Sequence, residues 1–198
     1  MQIDWKPRAA AGHEWRRPVR WLHFGLALTI TLQLFNSLVM SPPFYRHASA
    51  FGLGLFGMHE YLGLLAAAIV VLHWLWMPFD RQRLFSHLFP WGAQGRRDVM
   101  DDLRTLAQGQ LPGESDRGGL SGLVHGLGLL AATGAGLTGV LLYVLMGASS
   151  APALLLYLSA ELHSAFGNLM WGYLGGHVLL ATVHHLIGHP TLKRMFSW

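Results

Sequence analysis

Histidine is the residue type in this chain best suited to chemistry, because the 198 residues include 12 histidines and no cysteine. His163 and His177 lie fourteen residues apart on one apolar stretch. In an α-helix, with ~1.5 Å rise and ~100° rotation per residue, they would point the same way to within ~40° and lie ~21 Å apart. One helix would then offer an imidazole near each face of a membrane, an arrangement that suits transmembrane electron transfer.

His59 is predicted to face His163. Each begins an apolar run that starts on the outer side of the membrane, so the two rings are expected at matching depth. Each is followed four residues later by a glycine, Gly63 or Gly167, which shares the helix face and clears room beside the ring. Because ionisable side chains within a bilayer are costly and indicate function, we interpret this pair as ligands of an outer haem b. The competing interpretation is a pair of ordinary packed polar residues.

An inner haem would need His177 and one partner, and the spacing leaves two choices. His23 lies near the start of the first apolar run, three residues after Arg20. His73 lies fourteen residues after His59 and so repeats the spacing of the last run. Depth does not separate His23 from His73, because helix tilt shifts each site by several ångströms.

The lack of cysteine excludes disulfides, iron–sulfur clusters, thiolate haem ligands and covalent haem attachment. His185 and His189 form an H-x-x-x-H pair, but a di-iron site needs several such boxes together with carboxylates. We instead place His184 or His185 near a quinone or haem propionates, with His125 as a further candidate in that region. An ordinary histidine at the membrane interface is the alternative for all three.

The elements that would position these histidines are four long apolar runs. The chain is 52% hydrophobic and 12% charged, and each run can cross a membrane, which takes ~20 helical residues. We expect an all-α integral membrane four-helix bundle of up-down-up-down topology, a single domain over residues 1–198. The predicted spans are about 18–40, 53–78, 120–146 and 162–188.

The basic residues predict the orientation. Thirteen of the 14 Lys and Arg residues precede the first run, separate the second from the third, or end the chain, and only Arg46 lies on the other side. Both termini are therefore expected in the cytoplasm. The pI of about 9.9 reflects this topology and does not indicate nucleic-acid binding.

The long cytoplasmic loop predicts one more helix, at about 97–108. Apolar residues recur there at helical spacing, opposite charged ones. The apolar set is Val99, Met100, Leu103, Leu106 and Ala107. This amphipathic helix is expected either to lie on the inner membrane surface or to be a solvated connection.

The chain resembles the bacterial cytochrome b561 family and the related cytochrome b subunits of membrane-bound nickel–iron hydrogenases and formate dehydrogenases. The matching residues are Arg20 and His23 in the first run, His59 and Gly63 in the second, His125 and Gly139 in the third, and His163, His177, His184, His185 and Arg194 in or after the fourth. The resemblance covers nearly the whole chain and is densest in the fourth run.

The resemblance implies two haem b groups, with His59 and His163 on the outer iron and His23 and His177 on the inner one. His73 then becomes a packing residue that the family does not require. Arg20 is expected either to neutralise an inner haem propionate or to act as a positively charged membrane anchor. The third run would supply no iron ligand.

The resemblance also implies the partners. The protein would be an electron-transfer protein or quinone oxidoreductase of the inner membrane, exchanging electrons with the quinone pool and with a periplasmic redox protein, catalytic subunit or small oxidant. Arg194 joins His184, His185 and His125 as an expected neighbour of the quinone or the propionates. Two alternatives remain, namely the anchor subunit of a hydrogenase- or dehydrogenase-like complex and a haem-free histidine-based transporter. A pump would more often carry buried Asp or Glu as well, whereas here Glu60 and Glu161 lie at span edges and the predicted spans are otherwise free of carboxylates.

Overall fold

The computed structural model describes residues 16–79, 84–110, 112 and 118–186, and every regular element in these ranges is helical. The helices are α1 (Arg17–Ser37), α2 (Ala50–Trp76), α3 (Leu84–Leu88), α4 (Ala93–Ala107), α5 (Gly119–Gly147) and α6 (Ala153–Leu186). A short 3-10 helix, Met77–Phe79, continues α2. The predicted all-α class is confirmed for the described part of the chain.

Local sequence explains where the long helices begin. Pro18 lies in the first turn of α1, where a backbone N–H would have no helical partner in any case. Ser49 caps α2, because its hydroxyl oxygen accepts a hydrogen bond from the Gly52 amide at 3.0 Å. Helix α6 begins at Ala153, earlier than the predicted span start at 162, since the residues between are rich in strong helix formers such as leucine and alanine.

The four long helices pack in chain order. Helix α1 packs on α2, α2 on α5, and α5 on α6, while α1 also touches α6. Side-chain hydrogen bonds tie the helices together: Gln33 Nε2 donates to the carbonyl oxygen of His59 at 2.8 Å, and Asn36 Nδ2 donates to that of Leu55 at 2.9 Å. Trp74 Nε1 donates to Thr133 Oγ1 at 3.0 Å and so joins α2 to α5.

Two of the described helices are long and apolar enough to cross a membrane. They are Ala50–Phe79 and Gly119–Gly147, each with a mean hydropathy of 1.9 in its most apolar stretch. Few of their side chains are buried, and large apolar ones such as Leu65 at 51% and Leu137 at 69% are exposed, which is what a lipid-facing surface requires. Helices α1 and α6 are less apolar because they carry Arg17, Arg20, Glu161 and several histidines, and their spanning role stays a prediction.

Helices α3 and α4 pack against the first turns of α5. Gly118 and Gly119 have φ angles of 80° and 46°, which favour glycine, and they turn the chain into α5. Asp102 on α4 accepts a hydrogen bond from the Leu120 backbone N–H at 2.8 Å, satisfying one of the free amides at the start of α5. The helix predicted at 97–108 is thus observed at Ala93–Ala107, and α5 holds it in place.

Candidate functional site

The imidazoles of His59 on α2 and His163 on α6 face each other. Their ring centroids are 6.0 Å apart and their planes lie 89° apart. An imidazole nitrogen binds a first-row transition metal at about 2.0–2.1 Å, so two rings on opposite sides of one metal ion place their centroids ~6 Å apart. The centroid distance of the pair predicted from matching depth is therefore compatible with one metal ion between the two rings.

Helix α5 orients the ring of His163. Its Nδ1 atom lies 3.1 Å from the carbonyl oxygen of Ala135 and 3.1 Å from Thr138 Oγ1. A carbonyl oxygen only accepts, so Nδ1 carries the hydrogen and Nε2 keeps its lone pair. A hydrogen bond of this kind fixes the tautomer of a metal-binding histidine and raises its basicity. Sequence reasoning missed Ala135 and Thr138, although Gly139 of the family pattern is adjacent to Thr138.

A second pair is formed by His23 on α1 and His177 on α6. Their ring centroids are 6.2 Å apart and their planes lie 57° apart, again the spacing that one metal ion between two imidazoles requires. His73, the other partner considered for His177, is buried and makes no ring contact with it within the described residues. The geometry therefore favours His23 over His73 as the partner of His177.

Two further aromatic side chains hold the ring of His177. Tyr173, one turn earlier on α6, stacks on it with centroids 5.4 Å apart and planes 12° apart. His125 on α5 meets it edge-on at 4.9 Å, and its own Nδ1 lies 2.6 Å from the carbonyl oxygen of Ser121. Sequence reasoning placed His125 in this region but missed Tyr173, which the i, i+4 spacing to His177 would have indicated.

The glycines beside the histidines differ in what surrounds them. A Cβ atom at Gly167 would meet nothing within 4 Å, so open space lies one turn after His163. A Cβ atom at Gly63 would come 2.7 Å from Gln33 Nε2, so this glycine accommodates the amide that bonds His59. At Gly139 a Cβ atom would lie 3.0 Å from His163 Cε1. Of the two glycines that follow the histidines by four residues, Gly167 therefore has open space beside it and Gly63 does not.

Three of the remaining predicted residues, Arg20, His184 and His185, lie in the helices that carry His23 and His177. Arg20 is buried on α1, three residues before His23. His184 is half-buried and His185 exposed, both in the last turn of α6. Arg194 lies outside the described residues.

The two histidine pairs constrain the kind of metal group. Among the described residues, no group of three or more His, Cys, Asp or Glu side chains is arranged to hold a metal ion. Two imidazoles alone suit a metal whose other ligands come with it, as the iron of haem does through its four porphyrin nitrogens. The facing rings, the fixed tautomer of His163 and the space at Gly167 all fit haem b.

The comparisons with known proteins agree with this chemistry. The family model described as prokaryotic cytochrome b561 matches residues 14–198. No curated protein and no solved structure matches the chain. Members of the matched family are integral membrane proteins that carry haem b and transfer electrons across the membrane. With nearly its whole length matched, the chain belongs to the prokaryotic cytochrome b561 family.

Proposed function

We propose that this protein is a di-haem b electron carrier that moves electrons between the quinone pool and a periplasmic donor or acceptor. His59 and His163 are the proposed outer ligands, and His23 and His177 the proposed inner ones. The observation that carries the proposal is that both pairs present facing imidazoles, with centroids 6.0 and 6.2 Å apart. Two such pairs in one small chain are difficult to explain by packing, because unpaired polar rings are costly inside a membrane.

Helix α6 supports the arrangement of two sites at two depths. His163 and His177 lie on this one continuous helix, and fourteen residues correspond to ~21 Å along its axis. Their partners lie on separate helices, since His59 is on α2 and His23 on α1. Helix α5 contributes the contacts that orient His163 and His177, and we assign it no iron ligand.

When bound, each haem supplies a one-electron ferric–ferrous couple. The chain's own residues determine how that couple is used. Two imidazoles would hold each haem and would leave no open site on its iron, which favours electron transfer over oxygen binding. Arg20, buried near His23, offers a guanidinium suited to pair with a carboxylate such as a haem propionate.

For the membrane we propose four spanning helices, α1, α2, α5 and α6, in an up-down-up-down bundle with both termini in the cytoplasm. Helices α2 and α5 support this by their length and hydropathy. The distribution of Lys and Arg supports the orientation and a multi-pass location in the bacterial inner membrane. His59 and His163 would then lie near the periplasmic face and His23 and His177 near the cytoplasmic face.

We further propose that the quinone exchanges electrons at the cytoplasmic end. His184 and His185 support this by their position in the last turn of α6, and His125 by its contact with His177. Arg194 is proposed for the same region from sequence alone. A periplasmic redox protein or catalytic subunit would meet the other end, and the same haem ligands would serve an anchor subunit of a hydrogenase-like complex.

Haem stoichiometry is the first test. The protein is purified in detergent, and the reduced-minus-oxidised spectrum is combined with pyridine haemochrome quantitation per chain. We expect two b-type haems in the native protein. His59→Ala or His163→Ala should lose the outer haem and keep the inner one, and His23→Ala or His177→Ala should lose the inner haem and keep the outer one. His47→Ala, at an exposed loop residue, is the matched control and should keep both.

Two results would contradict the proposal. Retention of both haems after His59→Ala or His163→Ala would show that these two histidines are not the ligands of the outer haem. A chain without haem, expressed where haem is plentiful, would favour the haem-free transporter.

The partner is tested separately by adding a short-chain quinol to protein in nanodiscs. Rapid haem reduction is expected, whereas an anchor subunit that exchanges electrons only with its catalytic subunit would stay oxidised.

A further inference from the structure

Helix α4 carries three chemically distinct sectors. At ~100° per residue, its side chains divide into an apolar, a basic and an acidic sector around the helix axis, and the basic sector lies beside the apolar one. The members are Val99, Leu103 and Leu106 in the apolar sector, Arg96, Arg97 and Arg104 in the basic sector, and Asp98, Asp101 and Asp102 in the acidic sector. Asp102 contacts α5, but the three arginines are exposed, so packing within the chain does not account for the basic sector.

The basic sector forms a shallow, open cleft on the outer face of α4, between its own side chains. Its volume is about 570 Å³, and it is lined by the three arginines together with Ala93, Met100 and Asp101. Met100 thus lies with the arginines, although the sequence pattern placed it in the apolar set. Met100, Leu103 and Leu106 remain 50%, 42% and 39% exposed, which leaves apolar surface directly beside the cleft.

The arginines are only weakly engaged within the chain. Arg96 donates one hydrogen bond to the Trp91 carbonyl oxygen at 3.1 Å, and Arg104 pairs with the exposed Asp101 at 2.9 Å. Exposed ion pairs of this kind contribute little stability, about 0–1 kcal/mol. Arg97 has no ion pair or hydrogen bond within the described residues. Arg97 can therefore turn toward an anion in the cleft directly, and Arg96 and Arg104 can do so by giving up one weak, exposed contact each.

The position of α4 places this cleft at a membrane boundary. The hydrogen bond from the Leu120 backbone N–H to Asp102 holds α4 at the first turn of α5, one of the helices able to span a membrane. Trp91, 62% exposed just before α4, is the residue type enriched at membrane interfaces. The hydrogen bond to α5 and the exposed Trp91 support a position of α4 where headgroups meet acyl chains.

We propose that α4 is a binding site for the phosphate headgroup of an anionic phospholipid. Arg96, Arg97 and Arg104 would bind the phosphate, because a guanidinium matches its oxygens bidentately. Leu103 and Leu106 would cover the adjoining glycerol and upper acyl chain, which a free phosphate ion does not possess. The site would face the cytoplasmic leaflet. This location rests on the orientation proposed above, in which the basic end of the molecule lies on the cytoplasmic side.

The test uses the purified haem-loaded protein in a neutral detergent. Dioctanoyl phosphatidylglycerol is titrated in, and bound lipid is counted by native mass spectrometry, with dioctanoyl phosphatidylcholine and inorganic phosphate as comparison probes. Each Arg→Gln change should weaken phosphatidylglycerol binding about fivefold, and the triple change about a hundredfold. Arg97→Lys should lose less affinity than Arg97→Gln but should not restore it fully, because the charge stays while the bidentate geometry of the guanidinium is lost.

Arg46→Gln is the matched control, with the same loss of charge at an exposed residue far from α4 in the sequence. It should leave lipid binding unchanged. The proposal is overturned if the triple variant binds phosphatidylglycerol as tightly as the native protein, or if phosphatidylcholine binds equally well. If inorganic phosphate binds as tightly as the lipid, the site recognises the phosphate alone, and the proposal of a lipid as its occupant is wrong. Haem content, counted in the same samples, reports separately on the electron-transfer proposal and on folding of each variant.

Discussion

The Nδ1 atom of His163 lies 3.1 Å from the carbonyl oxygen of Ala135, so helix α5 sets the tautomer of a ring that faces a histidine of α2. The carbonyl requires a hydrogen on Nδ1, which leaves the Nε2 lone pair for a metal. Thr138 Oγ1, also at 3.1 Å, shares this hydrogen. Helix α5, to which we assign no iron ligand, therefore influences the basicity of His163, one of the two proposed ligands on α6.

Thr138→Val tests this control. The variant keeps the shape of the side chain and removes one acceptor from the His163 Nδ1–H. We expect both haems to remain bound, while the outer haem becomes harder to oxidise because its ligand is less basic. One hydrogen bond corresponds to a rise in reduction potential of about 20–60 mV, measured by redox titration of the haem absorbance.

Thr182→Val is the control for that experiment. Its hydroxyl donates only to the Val178 carbonyl of its own helix at 2.8 Å, so the same chemical change should leave the outer potential unaltered. An unchanged outer potential in Thr138→Val would mean that Ala135 alone orients the ring.

Gly139→Ala should damage the outer site selectively. The added Cβ atom would lie 3.0 Å from His163 Cε1, so the ring must shift away from its position opposite His59. Overpacking of this kind costs roughly 1–3 kcal/mol, and we expect outer haem occupancy to fall while the inner haem persists. Gly147→Ala in the same helix, where nothing lies within 4 Å, should keep two haems per chain by pyridine haemochrome. Equal haem content in the two variants would show that His163 tolerates the shift.

Spacing along the chain predicted part of the site. The fourteen-residue interval from His163 to His177 and the matching depth of His59 follow from the regular geometry of a helix, and the ring pair 6.0 Å apart agrees with them. The all-α class followed from the length of the apolar runs. These features depend only on helix periodicity and on the cost of polar groups in a membrane.

Contacts that depend on how one helix is rotated against another could not be predicted this way. The spacing left His23 and His73 equal, and the ring contact between α1 and α6 favours His23. Gly63 was expected to clear room beside His59, but the space at Gly63 holds the amide of Gln33, a residue of another helix. The edge-on contact of His125 with His177 likewise depends on the packing of α5 on α6.

His73→Leu tests the choice between His23 and His73. His73 is 8% exposed, and its Nδ1 has no hydrogen-bond partner within the described residues. A buried unsatisfied polar atom costs about 1–3 kcal/mol, so a leucine of similar volume should leave stability equal or higher. We expect two haems per chain and an unchanged or raised midpoint for thermal loss of haem. If His73→Leu lost one haem while His23→Leu kept both, His73 would be the inner ligand.

His125→Phe tests the edge-on contact with His177. Its ring centroid is 4.9 Å from that of His177, closer than the ~6 Å that a metal ion between two imidazoles requires, so we expect His125 to position the ligand without binding iron. Phenylalanine keeps a ring in place, and both haems should remain. Because a polar neighbour is lost and the ferric form carries the extra positive charge, the inner haem should become easier to reduce by about 20–60 mV in a redox titration.

Tyr173→Phe, which keeps the ring stacked on His177, is the control and should leave the haem count unchanged. Loss of one haem in His125→Phe, with His23→Phe keeping two, would instead make His125 the partner of His177.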